Sequence, residues 1–281
     1  MSRILLKTDD HSRDSAGMRY VYPVVSRRAG GVSVGINLNP NNACNWRCVY
    51  CQVPGLTRGG PPAIDLDLLA RELNGFLDWA VSGDFMATRV PAGVRRLVDV
   101  AFSGNGEPTS AAEFPDAVAL VERALAARGL ARDVLIRLIT NGSLLERKSV
   151  QSGIARIGGA GGEVWFKLDA ATPAGLARIN GTRVRPEAVA RRLDRCAALA
   201  PTWVQTCLFR IDGEKPGESE LEAYLGLLAA RATTLSGVHL YSLARPSLQP
   251  EAPRLGRMDE AWLEEFAQRI RQLGLTVRVS P

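Results

Sequence analysis

Runs of five or six largely apolar residues alternate along this chain with stretches patterned as amphipathic helices, and this alternation constrains the fold more than any other feature. Ser33–Leu38, Leu97–Phe102, Val134–Ile139, Val164–Leu168, residues 203–210 and residues 237–242 read as strands, several of them too continuously apolar to leave one face in water. Helices are expected from near Asp65, where Leu69, Leu73, Phe76 and Leu77 share a face, and over residues 115–128, 145–157, 186–199 and 218–232. Repeated βα units build a parallel sheet covered by helices, and six strands curl into a barrel or part of one. A final helix over 259–274, with Trp262, Phe266, Ile270 and Leu273 on one stripe, packs over the sheet and leads to a short strand, Leu275–Val279. Ahead of the first unit, the patch Tyr20–Val25 reads as an edge strand or strap, and the Arg27-Arg28 pair after it as exposed.

Three of the five cysteines, Cys44, Cys48 and Cys51, fall within eight residues, directly after the first predicted βα strand. Random placement of five cysteines gives the spacing of three and then two intervening residues about one time in a thousand. Three thiolates on one short loop can hold three irons of a [4Fe–4S] cube and leave the fourth iron open to a small molecule. Two other readings stand beside it. One is a structural zinc site, for which only His11 and His239 could complete the usual four ligands. The other is a fold-back of buried free cysteines.

The spacing Cys44-x3-Cys48-x2-Cys51, with the aromatic Tyr50 just before the last cysteine, resembles the cluster loop of the radical S-adenosylmethionine superfamily. The resemblance implies a partial (βα)6 TIM-like barrel and, as cofactors, a [4Fe–4S] cluster and S-adenosyl-L-methionine. In that superfamily the amino and carboxylate groups of S-adenosylmethionine chelate the open iron, and the reduced cluster cleaves the sulfonium to a 5′-deoxyadenosyl radical. It also implies a one-electron reductant such as flavodoxin or ferredoxin. The flanks, Asn37-Leu38-Asn39-Pro40 before and Gln52 after, are similar to the branch containing the wyosine tRNA-modifying enzymes. Those enzymes carry further cysteines for a second cluster, whereas residues 1–43 here hold none, a departure that speaks against the wyosine reaction itself. Within this frame the chain divides into an N-terminal extension (1–31), a core barrel (32–246) and a C-terminal helix and strand (247–281).

In parallel α/β folds the working residues gather after the strands. Ser103-Gly104-Asn105-Gly106-Glu107-Pro108-Thr109 follows the second strand, and its glycines free backbone groups for close approach to a ligand. It resembles the superfamily's Gly-Gly-Glu motif, which implies that Gly104, Asn105, Gly106 and Glu107 hold the methionine end, with Asn105 where many members have glycine. Thr140-Asn141-Gly142 resembles the ribose-proximal turn and reads equally as a helix-capping turn. Tyr241, in the segment Tyr241–Pro246, is similar to residues that approach the adenine or substrate. Alternation places Lys167 and Asp169 on one face of the fourth strand, as an ion pair or substrate handle, and Gln205 with Cys207 on one face of the fifth. Lys167, Asp169 and Cys207 are therefore the candidate catalytic side chains. In wyosine-forming relatives a barrel lysine forms a Schiff base, but no alignment ties Lys167 to it. Cys207 reads either as a small buried hydrophobe or as a radical relay.

A net charge of +6 and pI near 9.3 admit a nucleic-acid partner, yet the arginines are spread along the chain without a dense basic tract. The readings are a radical enzyme acting on a small-molecule or peptide substrate, a tRNA base-modifying enzyme, and a non-catalytic iron–sulfur or zinc protein. No apolar run approaches the roughly 18 residues that span a bilayer, and residues 1–10 lack the apolar core of a signal peptide. No membrane and a cytoplasmic location are expected, in keeping with clustered thiols in a reducing compartment.

Overall fold

A computed structural model describes Leu6 and residues 17–26 and 30–280. The elements run β1 Val21–Ser26, β2 Gly31–Ile36, β3 Ala43–Cys44, β4 Thr57–Arg58, α1 Leu66–Val81, α2 Phe85–Arg89, β5 Leu97–Phe102, α3 Phe114–Ala126, β6 Leu135–Thr140, α4 Lys148–Gly159, β7 Glu163–Lys167, α5 Pro173–Asn180, α6 Pro186–Ala197, β8 Thr202–Cys207, β9 Phe209–Ile211, α7 Glu218–Ala229, β10 Gly237–Tyr241, β11 Leu255–Arg257, α8 Glu260–Arg271 and β12 Val277–Ser280. Among the described residues the main sheet has eight strands in the order β1-β2-β5-β6-β7-β8-β10-β12. The expected βα strands β2, β5, β6, β7, β8 and β10 are all mutually parallel, and β12 joins parallel to β10. The two ends of the sheet do not meet, so the barrel is a curled, open half-barrel. Only β1 runs antiparallel, as the edge strand expected from Tyr20–Val25.

Burial explains why these segments are strands. Every residue of β2 and β8 is buried, as continuous apolar patterning requires when helices cover one face and the lumen the other. Helix α1 begins on Asp65, whose side chain accepts from Leu68 N at 2.8 Å, and it buries Leu69, Leu73, Phe76, Leu77 and Ala80, a stripe of one-turn spacing.

Two segments differ from expectation. The predicted strand 203–210 breaks after Cys207: the Cys207 N–H turns to Asp169 Oδ1 (3.0 Å) and leaves the ladder, and β9 then pairs antiparallel with β11. Residues 173–180, left without an element by the hydrophobic pattern, form α5. Thr172 caps it by accepting from Gly175 N (3.0 Å), Pro173 occupies its first turn, and Gly181 ends it in the left-handed region at φ 60°. Arg27 and Arg28, with His11, lie outside the described residues.

Candidate functional site

The loop after β2 carries the three clustered cysteines, and asparagines fix its path. Asn37 Oδ1 accepts from Asn39 N (3.0 Å) and from Asn105 N (3.1 Å), so one side chain ties the start of the loop to the turn after β5. Asn39 Nδ2 donates to Ala43 O (3.0 Å) and Ser110 Oγ (3.2 Å). The turn Gly104–Glu107 can lie this close only because two of its residues lack side chains. A Cβ on Gly104 would overlap Asn37, and one on Gly106 would overlap the Ala43 carbonyl and reach 2.6 Å from Asn39 Cγ. Asn105 turns its amide to Asn42 Oδ1 (2.6 Å), away from the cavity described below, and its buried Oδ1 has no hydrogen-bond partner among the described residues.

Glu107 is buried and braces two strand ends. Its Oε1 accepts from Thr109 N (3.2 Å), Thr109 Oγ1 (2.6 Å) and Thr140 Oγ1 (2.6 Å), and Oε2 accepts from Asn141 N (2.7 Å). Burial raises its pKa above the usual carboxylate value, and these donors oppose the shift. Only Oε2 has room for a further donor. Asn141 Nδ2 reaches Asn45 Oδ1 (2.9 Å), which joins the turn after β6 to the cysteine loop.

On the opposite side, α5 locks the loop from beneath. Arg47 N donates to Asn180 O (3.1 Å) and Val49 N to Ile179 O (2.9 Å). Asn180 Nδ2 lies 3.3 Å from Cys48 Sγ and 2.8 Å from Asp169 Oδ2, while its buried Oδ1 has no hydrogen-bond partner among the described residues. Tyr50 donates to the same Asp169 oxygen at 2.5 Å. Lys167 Nζ, as alternation required, lies near Asp169, 4.0 Å from Oδ1, and 3.3 Å from Tyr241 Oη. Burial alone would lower the lysine's pKa, but the Asp169 charge and its other neighbours hold it above the ordinary value. After β10 a strap crosses the loop: Ser247 Oγ donates to Val49 O (2.7 Å), Leu248 N to Cys51 O (2.9 Å) and Gln249 Nε2 to Val53 O (3.0 Å).

These elements enclose a cavity of about 560 Å³, within the range of small-molecule sites. Cys44, Cys48 and Cys51 line it together with Gly104, Gly106, Glu107 and Asn141, and farther round the sheet Lys167, Gln205, Cys207 and Tyr241. The sequence-predicted residues therefore converge, save for the side chain of Asn105 and for Asp169, which stands behind the wall. Sequence reasoning missed Asn180 and the strap Ser247–Gln249. The Asn180-Gly181 pair after a Thr172-Pro173 start was the available sign of a capped helix end.

Burial pushes the Cys44 thiol up to about 11 and the Cys48 thiol up to about 12, the latter with Asp169 adding to the effect. A cationic iron would offset that cost by displacing the protons. Among the described residues no three His, Cys, Asp or Glu side chains converge on a point that could hold one metal ion. A zinc site needs such convergence, whereas a cube takes each thiolate at a different corner. His239 is packed between the rings of Trp165 and Trp203, with centroids at 4.4 and 4.8 Å. The donor set, the backbone cradle at Gly104–Gly106 and Asn180 Oδ1, unpartnered among the described residues, fit an iron–sulfur cluster with a small polar ligand.

The family described as the Radical SAM superfamily matches residues 38–222. The chain belongs to the radical SAM superfamily. As a radical SAM protein it is an enzyme, and its family implies S-adenosylmethionine and an iron–sulfur cluster. Its fold is similar to that of a radical SAM methyltransferase from Sphaerobacter thermophilus, with TM-score 0.57, 18% identity, and coverage of 92% of this chain and 68% of that one. It is also similar to hexahistidine-tagged anSMEcpe with bound AdoMet, with TM-score 0.50, 14% identity, and coverage of 76% and 52%. In sequence, this radical SAM protein is 26% identical over 132 residues to the GTPase Obg of Brachyspira hyodysenteriae, a stretch covering 47% of this chain and 17% of that protein. The chain thus spans a small part of that curated relative, and it contains no Gly-Lys-Ser/Thr of a phosphate-binding loop.

Proposed function

We propose that this radical SAM enzyme holds a [4Fe–4S] cluster on Cys44, Cys48 and Cys51 and abstracts hydrogen from a small-molecule or peptide-like substrate in the half-barrel lumen. The supporting observation is the cavity that three thiols, the Gly104–Glu107 turn and the polar wall of β7, β8 and β10 line together. When bound, the cluster and S-adenosylmethionine supply a carbon radical able to break a substrate C–H bond.

The chain's own residues do the rest. Glu107 Oε2 and the backbone at Gly104 and Gly106 would hold the ammonium of the methionine end, and Asn141 would meet the nucleoside. The Asp169 network with Tyr50 and Asn180 fixes the loop, so that the thiolates keep one geometry through a change of cluster charge. The strap from Ser247 to Gln249 screens the backbone around Cys51 from water, as radical chemistry requires. We take 32–246 as the core barrel, with its extensions closing the two edges, a flavodoxin- or ferredoxin-like protein as reductant, and the cytoplasm as the location. Among the described residues no helix is long and apolar enough to cross a membrane.

Anaerobically purified full-length protein should be brown, and after reduction its EPR signal should change when S-adenosylmethionine is added. A colourless protein, or a cluster indifferent to S-adenosylmethionine, would overturn the reading. The flanks resembling the wyosine branch have a structural job here, since Asn37 and Asn39 tie the loops together. A tRNA substrate would show as filter retention of total tRNA that falls steeply with salt, with a log–log slope of roughly 0.7–0.9 per phosphate contact. Arg58, Arg178 and Arg183, all exposed, and Arg245 at the cavity wall would be the contacts to substitute.

A further inference from the structure

Three segments wrap the outside of the cysteine loop: its own flanks (residues 41–64), α5 with the turn after it (170–187), and the strap (246–253). Together they hold five arginines, Arg47, Arg58, Arg178, Arg183 and Arg185, against two acids, Glu187 and Glu251, and no lysine. The arginines gather around Gly181. Arg58 donates to Gly181 O and to Asn45 O (3.0 Å), and a Cβ on Gly181 would come 2.8 Å from the Arg47 carbonyl. Arg178 stands three residues before Gly181, and Arg183 and Arg185 two and four after it, separations that the chain holds to at most about 3.6 Å per residue. Arg47 is paired with Glu251 on the strap at 2.9 Å, whereas Arg58, Arg178, Arg183 and Arg185 are exposed and make no ion pair among the described residues. Beside Glu251 on the strap stands Leu248, 56% exposed, whose N–H is bonded to Cys51 O. Neither these arginines nor Leu248 line the cavity, so the patch faces away from the lumen.

Its position narrows what can sit there. Arg47 directly precedes Cys48, Arg58 holds the carbonyl of the residue after Cys44, and Leu248 meets the carbonyl of Cys51, so one layer of loop separates the patch from all three thiols. A substrate has to enter the lumen, whereas a molecule seated on this outer skin can exchange only an electron with the cluster site. Unpaired arginines beside an exposed leucine fit an acidic protein whose redox group reaches an apolar spot on its surface. The three segments offer no exposed ring on which a base could stack, since Trp46 is buried and Tyr50 turns its hydroxyl to Asp169. We infer that Arg58, Arg178, Arg183 and Arg185, with Leu248, form the docking surface for an acidic one-electron carrier protein of the flavodoxin type. One electron passes from the carrier's reduced flavin, which is thereby oxidised, to the oxidised cluster, and no group moves with it. Such encounters are small, below about 1,200 Å², so charge dominates them. The inference rests on the proposed function for the cluster as electron acceptor.

The test uses cluster-loaded full-length protein with purified FMN-loaded flavodoxin as the probe, read by biolayer interferometry. Binding should weaken about tenfold or more between 0.1 M and 1 M salt, as the screening length falls from about 10 to 3 Å. Arg178→Glu/Arg183→Glu should weaken it about tenfold at the lower salt and little at the higher. Arg123→Glu/Arg132→Glu, at the end of α3 and in the turn before β6, both exposed at the strand-start end of the sheet, changes the net charge equally and should leave binding intact. Leu248→Ser should weaken it severalfold at both salts. With dithionite in place of flavodoxin, Arg178→Glu/Arg183→Glu should keep wild-type iron content and 5′-deoxyadenosine formation, which shows that fold and cluster survive the change. No flavodoxin binding at low salt, or equal losses in the two double variants, would overturn the assignment. So would retention of total tRNA that Arg178→Glu/Arg183→Glu abolishes while flavodoxin binding stands, the result expected of a nucleic-acid face. A colourless protein that still binds flavodoxin through these arginines would sink the proposed function and leave the docking surface standing.

Discussion

Asn180 Nδ2 lies 3.3 Å from Cys48 Sγ and 2.8 Å from Asp169 Oδ2, so the last residue of α5 joins the cysteine loop to the end of β7. A donor at a cluster sulfur stabilises the added electron. Replacing Asn180 by Ala should lower the cluster's midpoint potential on the order of 40 mV, the one-electron equivalent of a hydrogen bond worth about 1 kcal/mol. Redox-poised EPR measures it, and an unchanged potential in iron-replete protein would refute the contact.

Single replacement of Cys44, Cys48 or Cys51 by Ala should reduce 5′-deoxyadenosine formation to background, since two thiolates cannot hold the site-differentiated cube. Cys196 is buried in α6, where Thr202 Oγ1 reaches its sulfur at 3.5 Å. Cys196→Ala should therefore keep full iron content by colorimetric assay, which checks that lost activity is specific to the loop.

Gly106→Ala sets a methyl group against the Ala43 carbonyl and the Asn39 side chain, which is fixed by its bonds to Ala43 O and Ser110 Oγ. Backbone cannot step aside as a flexible side chain does. Urea unfolding should show a loss of about 2–4 kcal/mol together with poor iron retention, whereas Gly55→Ala, with nothing within 4 Å of the added carbon, should show no clash and only the smaller strain of its positive φ.

Glu107 has a native pKa raised by burial. Its protonated form is therefore favoured more in the folded than in the unfolded state. The stability this contributes is full below the unfolded value, near 4.5, and is lost as pH rises through the native value. Measured against Glu107→Gln, which has no such titration, wild-type stability should fall from about pH 4.5 upward and then level off. A difference that grows with pH in denaturant melts would contradict the raised value.

The parallel strands, most of the helices and the clustered thiols were legible in the sequence because they depend on local periodicity and spacing. Leu69, Leu73, Phe76 and Leu77 mark a helix face wherever the helix packs, and three cysteines within eight residues stand out as a candidate metal loop before any fold is known. Strand alternation likewise put Lys167 beside Asp169 and Gln205 beside Cys207. The end of β8 was not legible. The strand stops where the Cys207 amide turns to Asp169, a residue 38 positions away, and no local pattern encodes that competition. The same holds for Asn180, whose sequence signature is only that of a helix end, and for Asn37 and Asn39, which read as a motif and prove to be ties between loops. Gln205 shows the division most plainly: its place on an inward face followed from alternation, but its place in the cavity wall depends on the strands around it. Hydrogen-bond satisfaction and net charge in a buried lumen are sums over residues distant in sequence, so the tertiary structure alone decides them.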